Sequence, residues 1–119
     1  MTDSEITNDA RVFVTQENGL DFADAERYGT ITFLTRADLN NTRGSLHNEE
    51  VLRFIRAGLR DFEAKRDWLV IVGSPYVSAA VFLLLGHMRV QSLRLLRWSN
   101  KNRVYQPLYL ELRREDIEP

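Results

Sequence analysis

The sequence predicts a single α/β domain, with a mixed sheet of about five strands and two main helices. The first indication is residues 68–72, a continuous apolar run that is typical of a strand covered on both faces. The second indication is the pair of helical patterns around this strand: an amphipathic helix precedes it, and a turn and a long apolar helical segment follow it. The third indication is a hairpin pattern near the end of the chain. Helices that alternate with strands define the α/β class, and the predicted order is β-(short helix)-β-α-β-α-β-β.

The first half of the predicted sheet comes from two strands joined by a short helix. Residues 11–16 are rich in β-branched and aromatic side chains, which favours a strand. We expect a helical turn next, with Asp21 as its cap and Gly29 at its end. Residues 30–35 again read as a strand, and a polar loop follows it over 36–47.

The first main helix is predicted to begin after Asn48, a residue type that often caps helices. Apolar residues recur on one stripe, namely Val51, Ile55, Leu59 and Phe62. Three arginines share another face, namely Arg53, Arg56 and Arg60. Such a row is usually the solvated side of the helix, and the alternative is contact with an acidic partner.

The second main helix is predicted from Pro75 to about Met88, with Ser74 as its N-cap. It is apolar on nearly every side. A helix of this kind lies deep inside a protein or is shared with another subunit. We therefore predict a homodimer, with an interface formed by Val77, Val81, Leu84 and Leu85.

The last two strands are predicted to form a hairpin over 93–98 and 104–112. The adjacent Leu95 and Leu96 break the alternation of the first strand, which indicates a bulge or burial on both faces. Pro107 places the second strand at an edge of the sheet, because proline cannot donate to a central ladder.

Composition places this chain among ordinary globular proteins. Its 119 residues are 44% hydrophobic and 28% charged, and they contain no cysteine. The missing cysteines exclude a disulfide scaffold, a thiol nucleophile and an iron–sulfur site. We expect one domain over 11–112, a flexible acidic tail over 1–10 and a charged tail over 113–119. No secretory signal or membrane-length apolar run is present, so we expect a cytoplasmic protein without membrane contact.

Charge is unevenly distributed along a chain whose net charge is −1. Residues 1–28 carry a net −5, whereas residues 89–114 carry a net +6. Bases and aromatic residues alternate in the hairpin, which suggests an alternative function in binding single-stranded nucleic acid. The residues concerned are Arg94, Arg97, Trp98, Lys101, Arg103 and Tyr105. The other explanation is that the acidic and basic ends pair with each other.

The turn after the central strand is the best-placed candidate for a small ligand. Gly73 and Ser74 lie where α/β sheets bind anions and nucleotides, at the start of a helix. Capping of the helix by Ser74 is the simpler explanation, and Pro75 removes one N–H donor. No set of nucleophile, base and acid is apparent, and neither is a metal or cofactor motif. We therefore lean against an enzyme.

Five segments resemble a family of small proteins encoded by phages and related mobile elements. They are residues 12–17, 22–29, 59–62, 68–75 and 95–98. The resemblance implies a virus-encoded accessory or regulatory protein that acts inside a bacterial cell, and it implies no activity or site residue. Our leading hypothesis is an α/β module that binds a macromolecule, with a protein partner favoured over nucleic acid.

Overall fold

The computed structural model describes residues 9–113, which form a five-stranded sheet with helices on both faces. The elements are β1 (Arg11–Val14), a 3-10 helix (Ala23–Tyr28), β2 (Thr30–Phe33), α1 (Leu46–Gly58), β3 (Trp68–Val70), α2 (Pro75–His87), β4 (Ser92–Ser99) and β5 (Val104–Glu111). The predicted α/β class and element order are confirmed. Most of both predicted tails, residues 1–8 and 114–119, lies outside the described residues.

The strand order is β2-β1-β3-β4-β5. The first four strands are parallel, and β5 is antiparallel to β4. The predicted edge position of Pro107 is therefore confirmed. The chain leaves β1 towards β2 and then crosses back to β3 on the other side of β1. The carboxyl ends of β1 and β3 thus form the switch point at which sheets of this kind commonly bind ligands.

Two apolar clusters cover the two faces of the sheet. On one face, Phe13, Leu69 and Leu95 pack against the buried side chains of α1 and α2. On the other face, a second cluster contains Leu96 and Tyr105 and is covered by the 3-10 helix. Leu95 and Leu96 belong to opposite clusters, and their register with β5 is uninterrupted. Burial on both faces therefore explains this pair, and there is no bulge.

The helix α1 begins three residues before its predicted start. Ser45 is its N-cap, and the Ser45 side chain accepts a hydrogen bond from the N–H of Asn48. The prediction of Asn48 as the cap was wrong, because its side chain bonds to the backbone N–H and carbonyl of Asn40 instead. Ser74 caps α2 as predicted.

The strands β1 and β3 end two residues earlier than predicted because a side chain replaces the backbone ladder. The Thr15 hydroxyl accepts a hydrogen bond from the N–H of Val72 and donates one to its carbonyl, at 2.9 and 2.8 Å. Across residues 9–113, no helix combines the length and the apolar character needed to cross a membrane.

Candidate functional site

The switch point between β1 and β3 is filled by a side chain of the protein itself. Gln16 is buried there, and its Oε1 accepts a hydrogen bond from the N–H of Ser74 at 2.6 Å. Its Nε2 donates to the carbonyl of Ala37 at 3.1 Å. Gly73 has φ +81°, and a Cβ at this position would collide with Gln16. The glycine is therefore required by the close approach of Gln16 as well as by its own backbone conformation.

The N–H groups of the following turn are also engaged within the chain. The Ser74 hydroxyl accepts from the N–H groups of Tyr76 and Val77, and Pro75 has no N–H. An anion at the predicted Gly73 and Ser74 site would have to displace Gln16. The arrangement that we observe is a capped helix start, and anion binding there stays a prediction.

Of the six hairpin residues predicted to contact nucleic acid, Arg97, Trp98 and Tyr105 line one depression of about 180 Å³ beside β4, and the other three do not line it. Tyr105 is buried, and burial raises the pKa of its hydroxyl, as do the charges of Asp21 and Asp24. Trp98 is 41% exposed and donates from Nε1 to Asn100.

Three bases lie at or near the tip of the hairpin between β4 and β5. Arg97, Lys101 and Arg103 are exposed and form no ion pair with another described residue. The acidic 3-10 helix does approach β5, but it does so through the backbone of β5. Asp24 accepts the N–H of Tyr105 at 2.6 Å, and Arg27 donates to the Tyr105 carbonyl at 2.9 Å. The described acidic residues of this segment thus form no ion pair with Arg97, Lys101 or Arg103.

The residues of α2 predicted to form a dimer interface point mainly into the core of their own chain. Val77, Val81 and Leu85 are buried in the cluster between the helices and the sheet, and Leu84 is partly buried. The large exposed side chains of α2 are Tyr76 and Leu83, each 72% exposed.

Three adjoining depressions lie where the parallel strands begin and the helices end, and we call them together the arginine furrow. The first, of about 630 Å³, is lined by Arg53, Arg56, Ala57, Arg60 and Met88. The second, of about 570 Å³, is lined by Arg11, Arg60, Asp61, Phe62, Glu63 and Arg66. The third, of about 860 Å³, is lined by Ala10, Glu26, Arg27, Tyr28, Gly29, Thr30, Ile31, Arg66, Trp68 and Arg94. The depressions adjoin one another, because Arg60 lines the first two and Arg66 lines the last two.

A buried carboxylate holds Arg66 in the middle of the furrow. Asp67 is fully buried and accepts hydrogen bonds from Nε and Nη2 of Arg66, at 2.9 and 3.1 Å. It also accepts the backbone N–H groups of Arg11 and Glu63, at 3.0 and 2.8 Å. Burial alone would raise the pKa of Asp67, but the hydrogen bonds from Arg66 and from the two N–H groups outweigh burial and lower this pKa.

Arg94 is held at one end of the furrow by an aromatic ring and by backbone carbonyls. Its guanidinium lies 3.9 Å from the centre of the Trp68 ring and donates to the carbonyls of Lys65 and Arg66. Its buried Nε has no hydrogen-bond partner among residues 9–113. This arginine forms no ion pair with another described residue.

Comparison with known families adds one finding to this geometry. The model of the phage Pam3 gp32-like protein family matches residues 10–112. The chain belongs to this family. The predicted resemblance to small phage-encoded proteins is therefore confirmed, and the match covers every strand and helix described above. No curated protein and no solved structure matches the chain.

Only one part of the arginine furrow could be predicted from the sequence. The helical spacing of Arg53, Arg56 and Arg60 placed them on one face, which the first depression confirms. The remaining arginines come from separate segments, namely Arg11, Arg27, Arg66 and Arg94. One available signal was the preference for arginine over lysine, because 14 of the 16 bases in the chain are arginines. Within residues 9–113, no three acidic or histidine side chains are grouped to hold a metal ion.

Proposed function

We propose that this phage-family protein is an accessory or regulatory module that works by binding a macromolecule in the host cytoplasm. The observation that carries this proposal is the filled switch point. The place where related sheets commonly hold a small ligand is taken by Gln16, whose amide is bonded on both sides. Exposed arginines and large apolar side chains on the outer surface supply the groups that protein interfaces favour.

We further propose that α2 joins two copies of the chain through its outer stripe. Tyr76 and Leu83 are seven residues apart, so they share one face of the helix. The exposed Ala79 and Gly86 lie on the same face, and a Cβ on Gly86 would meet no other atom within 4 Å. Small residues beside a protruding leucine allow two helices to approach closely. A two-fold axis would place the same stripe on both sides of the interface.

The assembly proposal is tested by light scattering coupled to size exclusion, over a range of protein concentrations. We expect a dimer for the wild type and a 13.9 kDa monomer for Leu83→Glu. Leu46→Glu is the matched control, because Leu46 is 74% exposed and lies on the other helix. A wild-type monomer at all concentrations contradicts the dimer, and so does a dimer that Leu83→Glu leaves intact.

A second candidate function, nucleic-acid binding at the tip of the hairpin, is favoured by one observation. Arg97 and the half-exposed ring of Trp98 line one depression, and Lys101 and Arg103 are exposed in the following loop, where they form no ion pair with a described residue. This candidate predicts salt-sensitive binding of single-stranded oligonucleotides with a change in the fluorescence of Trp98. Absence of binding at about 50 mM salt would remove this candidate, because low salt favours phosphate contacts.

A further inference from the structure

We propose that the arginine furrow is the docking site for a partner protein that presents a cluster of aspartate and glutamate side chains. This inference rests on the proposed function of binding a macromolecule, and it names both the surface and the partner chemistry. It does not depend on the dimer, because α2 contributes only the residue that follows its last turn, Met88, to the lining.

Charge is the first argument for this partner. Seven arginines line the furrow, against three acidic side chains, Glu26, Asp61 and Glu63. Arg27 and Arg66 already have carboxylate partners in Asp24 and Asp67. The other five form no ion pair with a described residue, namely Arg11, Arg53, Arg56, Arg60 and Arg94. The furrow thus has uncompensated positive charge that an acidic surface would complement.

Geometry is the second argument. The first depression contains no acidic lining residue, and its arginines are exposed. Arg53 and Arg56 lie three residues apart on α1, which is about 4.5 Å along the helix axis. Arginines one turn apart on the same helix face can each take a carboxylate from neighbouring acidic residues, and each pair can form two parallel hydrogen bonds.

A protein partner fits the furrow better than a nucleic acid does. The acidic residues between the arginines interrupt the positive charge that a continuous phosphate backbone would need. The Trp68 ring is not free to stack on a base, because it is 7% exposed, Arg94 lies over it and Tyr28 packs against it at 5.0 Å. Arginine with a methionine at the rim is typical of protein interfaces.

The test measures binding of a fluorescent polyglutamate peptide by anisotropy, with single-stranded and double-stranded DNA oligonucleotides as competing probes. At about 150 mM salt, we expect polyglutamate to bind more tightly than either DNA. The double variant Arg56→Glu and Arg60→Glu should weaken polyglutamate binding at least about tenfold, because it reverses two unpaired charges. Arg36→Glu with Arg43→Glu is the matched control, because it makes the same charge change at exposed sites outside the furrow.

The possible outcomes distinguish an acidic protein partner from attraction by general charge and from binding of a nucleic acid. If the furrow variant loses fold, shown by a lower melting temperature, Arg53→Glu with Arg56→Glu replaces it and lies wholly on α1. Equal weakening by the control and the furrow variants overturns the proposal, since general charge then explains the binding. Tighter binding of DNA than of polyglutamate, lost in the furrow variant, overturns it in favour of a phosphate backbone. None of these results bears on the proposed dimer, which is tested separately with Leu83→Glu.

Discussion

Replacement of Asp67 by asparagine tests how much the hydrogen bonds of this carboxylate stabilise the fold at the arginine furrow. The carboxylate is fully buried and joins the start of β1, the turn after α1 and Arg66 through four hydrogen bonds. All four partners are donors. Asparagine offers one oxygen and one NH₂ group, so the NH₂ group must face two of these donors in either orientation. One backbone N–H and one guanidinium N–H are then left without an acceptor.

The expected cost follows from these two lost interactions. An unsatisfied buried N–H costs about 1–3 kcal/mol, and a hydrogen bond to a charged group contributes about 1.5–3 kcal/mol. Asp67→Asn should therefore lower the free energy of unfolding by about 3–5 kcal/mol. A domain of this size has about 5–15 kcal/mol in total, so the variant would be only marginally folded.

Urea unfolding followed by circular dichroism at pH 7 measures this difference. Asp61→Asn is the control, because its side chain is exposed in the adjacent turn, and we expect a change within about 0.5 kcal/mol. The folded-state pKa of Asp67 is lowered, so its contribution is present above the ordinary pKa of about 3.9 and is lost as the pH falls through the lowered value. The gap between wild type and variant should thus narrow in strong acid. A loss below about 1 kcal/mol at pH 7 would refute the argument.

Two further changes test the filled switch point by urea unfolding. Thr15→Val should cost about 2–3 kcal/mol, because it leaves the N–H and carbonyl of Val72 without the hydroxyl, whereas Thr15→Ser should cost about 1 kcal/mol. Equal losses would show that the hydroxyl is unimportant. Gly73→Ala should cost about 2–4 kcal/mol, since it combines a positive φ with a collision against Gln16. Gly19→Ala has the same φ of +81° in open space and should cost about 1 kcal/mol, so similar values for the two would refute the collision.

The central strand and the hairpin could be predicted because the apolar pattern of neighbouring residues indicates which faces of each strand are buried. The run from Trp68 shows no alternation, and the structure places Leu69 in one cluster and Trp68 and Val70 in the other. Leu95 and Leu96 are likewise adjacent apolar residues, and they pack in opposite clusters. Local patterns of this kind report directly on which faces of a strand are covered.

Side-chain contacts between distant segments could not be predicted in this way. Gln16 reaches Ser74 across 58 positions, and Thr15 reaches Val72 across 57. The apolar pattern of α2 likewise could not tell which side faces the sheet, because every side is apolar. The structure buries Val77 and Val81 and exposes Tyr76 and Leu83. The sequence thus predicted that α2 is apolar on every side, but only the packing in the structure shows which side is buried and which is exposed.

We expect recognition to occur at the arginine furrow and not in the crevice at the switch point. A titration of the ¹⁵N-labelled protein with polyglutamate, followed by two-dimensional NMR, tests it most directly. We predict shifts of the amides of Arg56, Arg60 and Arg66, with those of Gln16 and Ser74 unmoved. Shifts confined to Gln16, Gly73 and Ser74 would contradict the claim, because the ligand would then have opened the crevice.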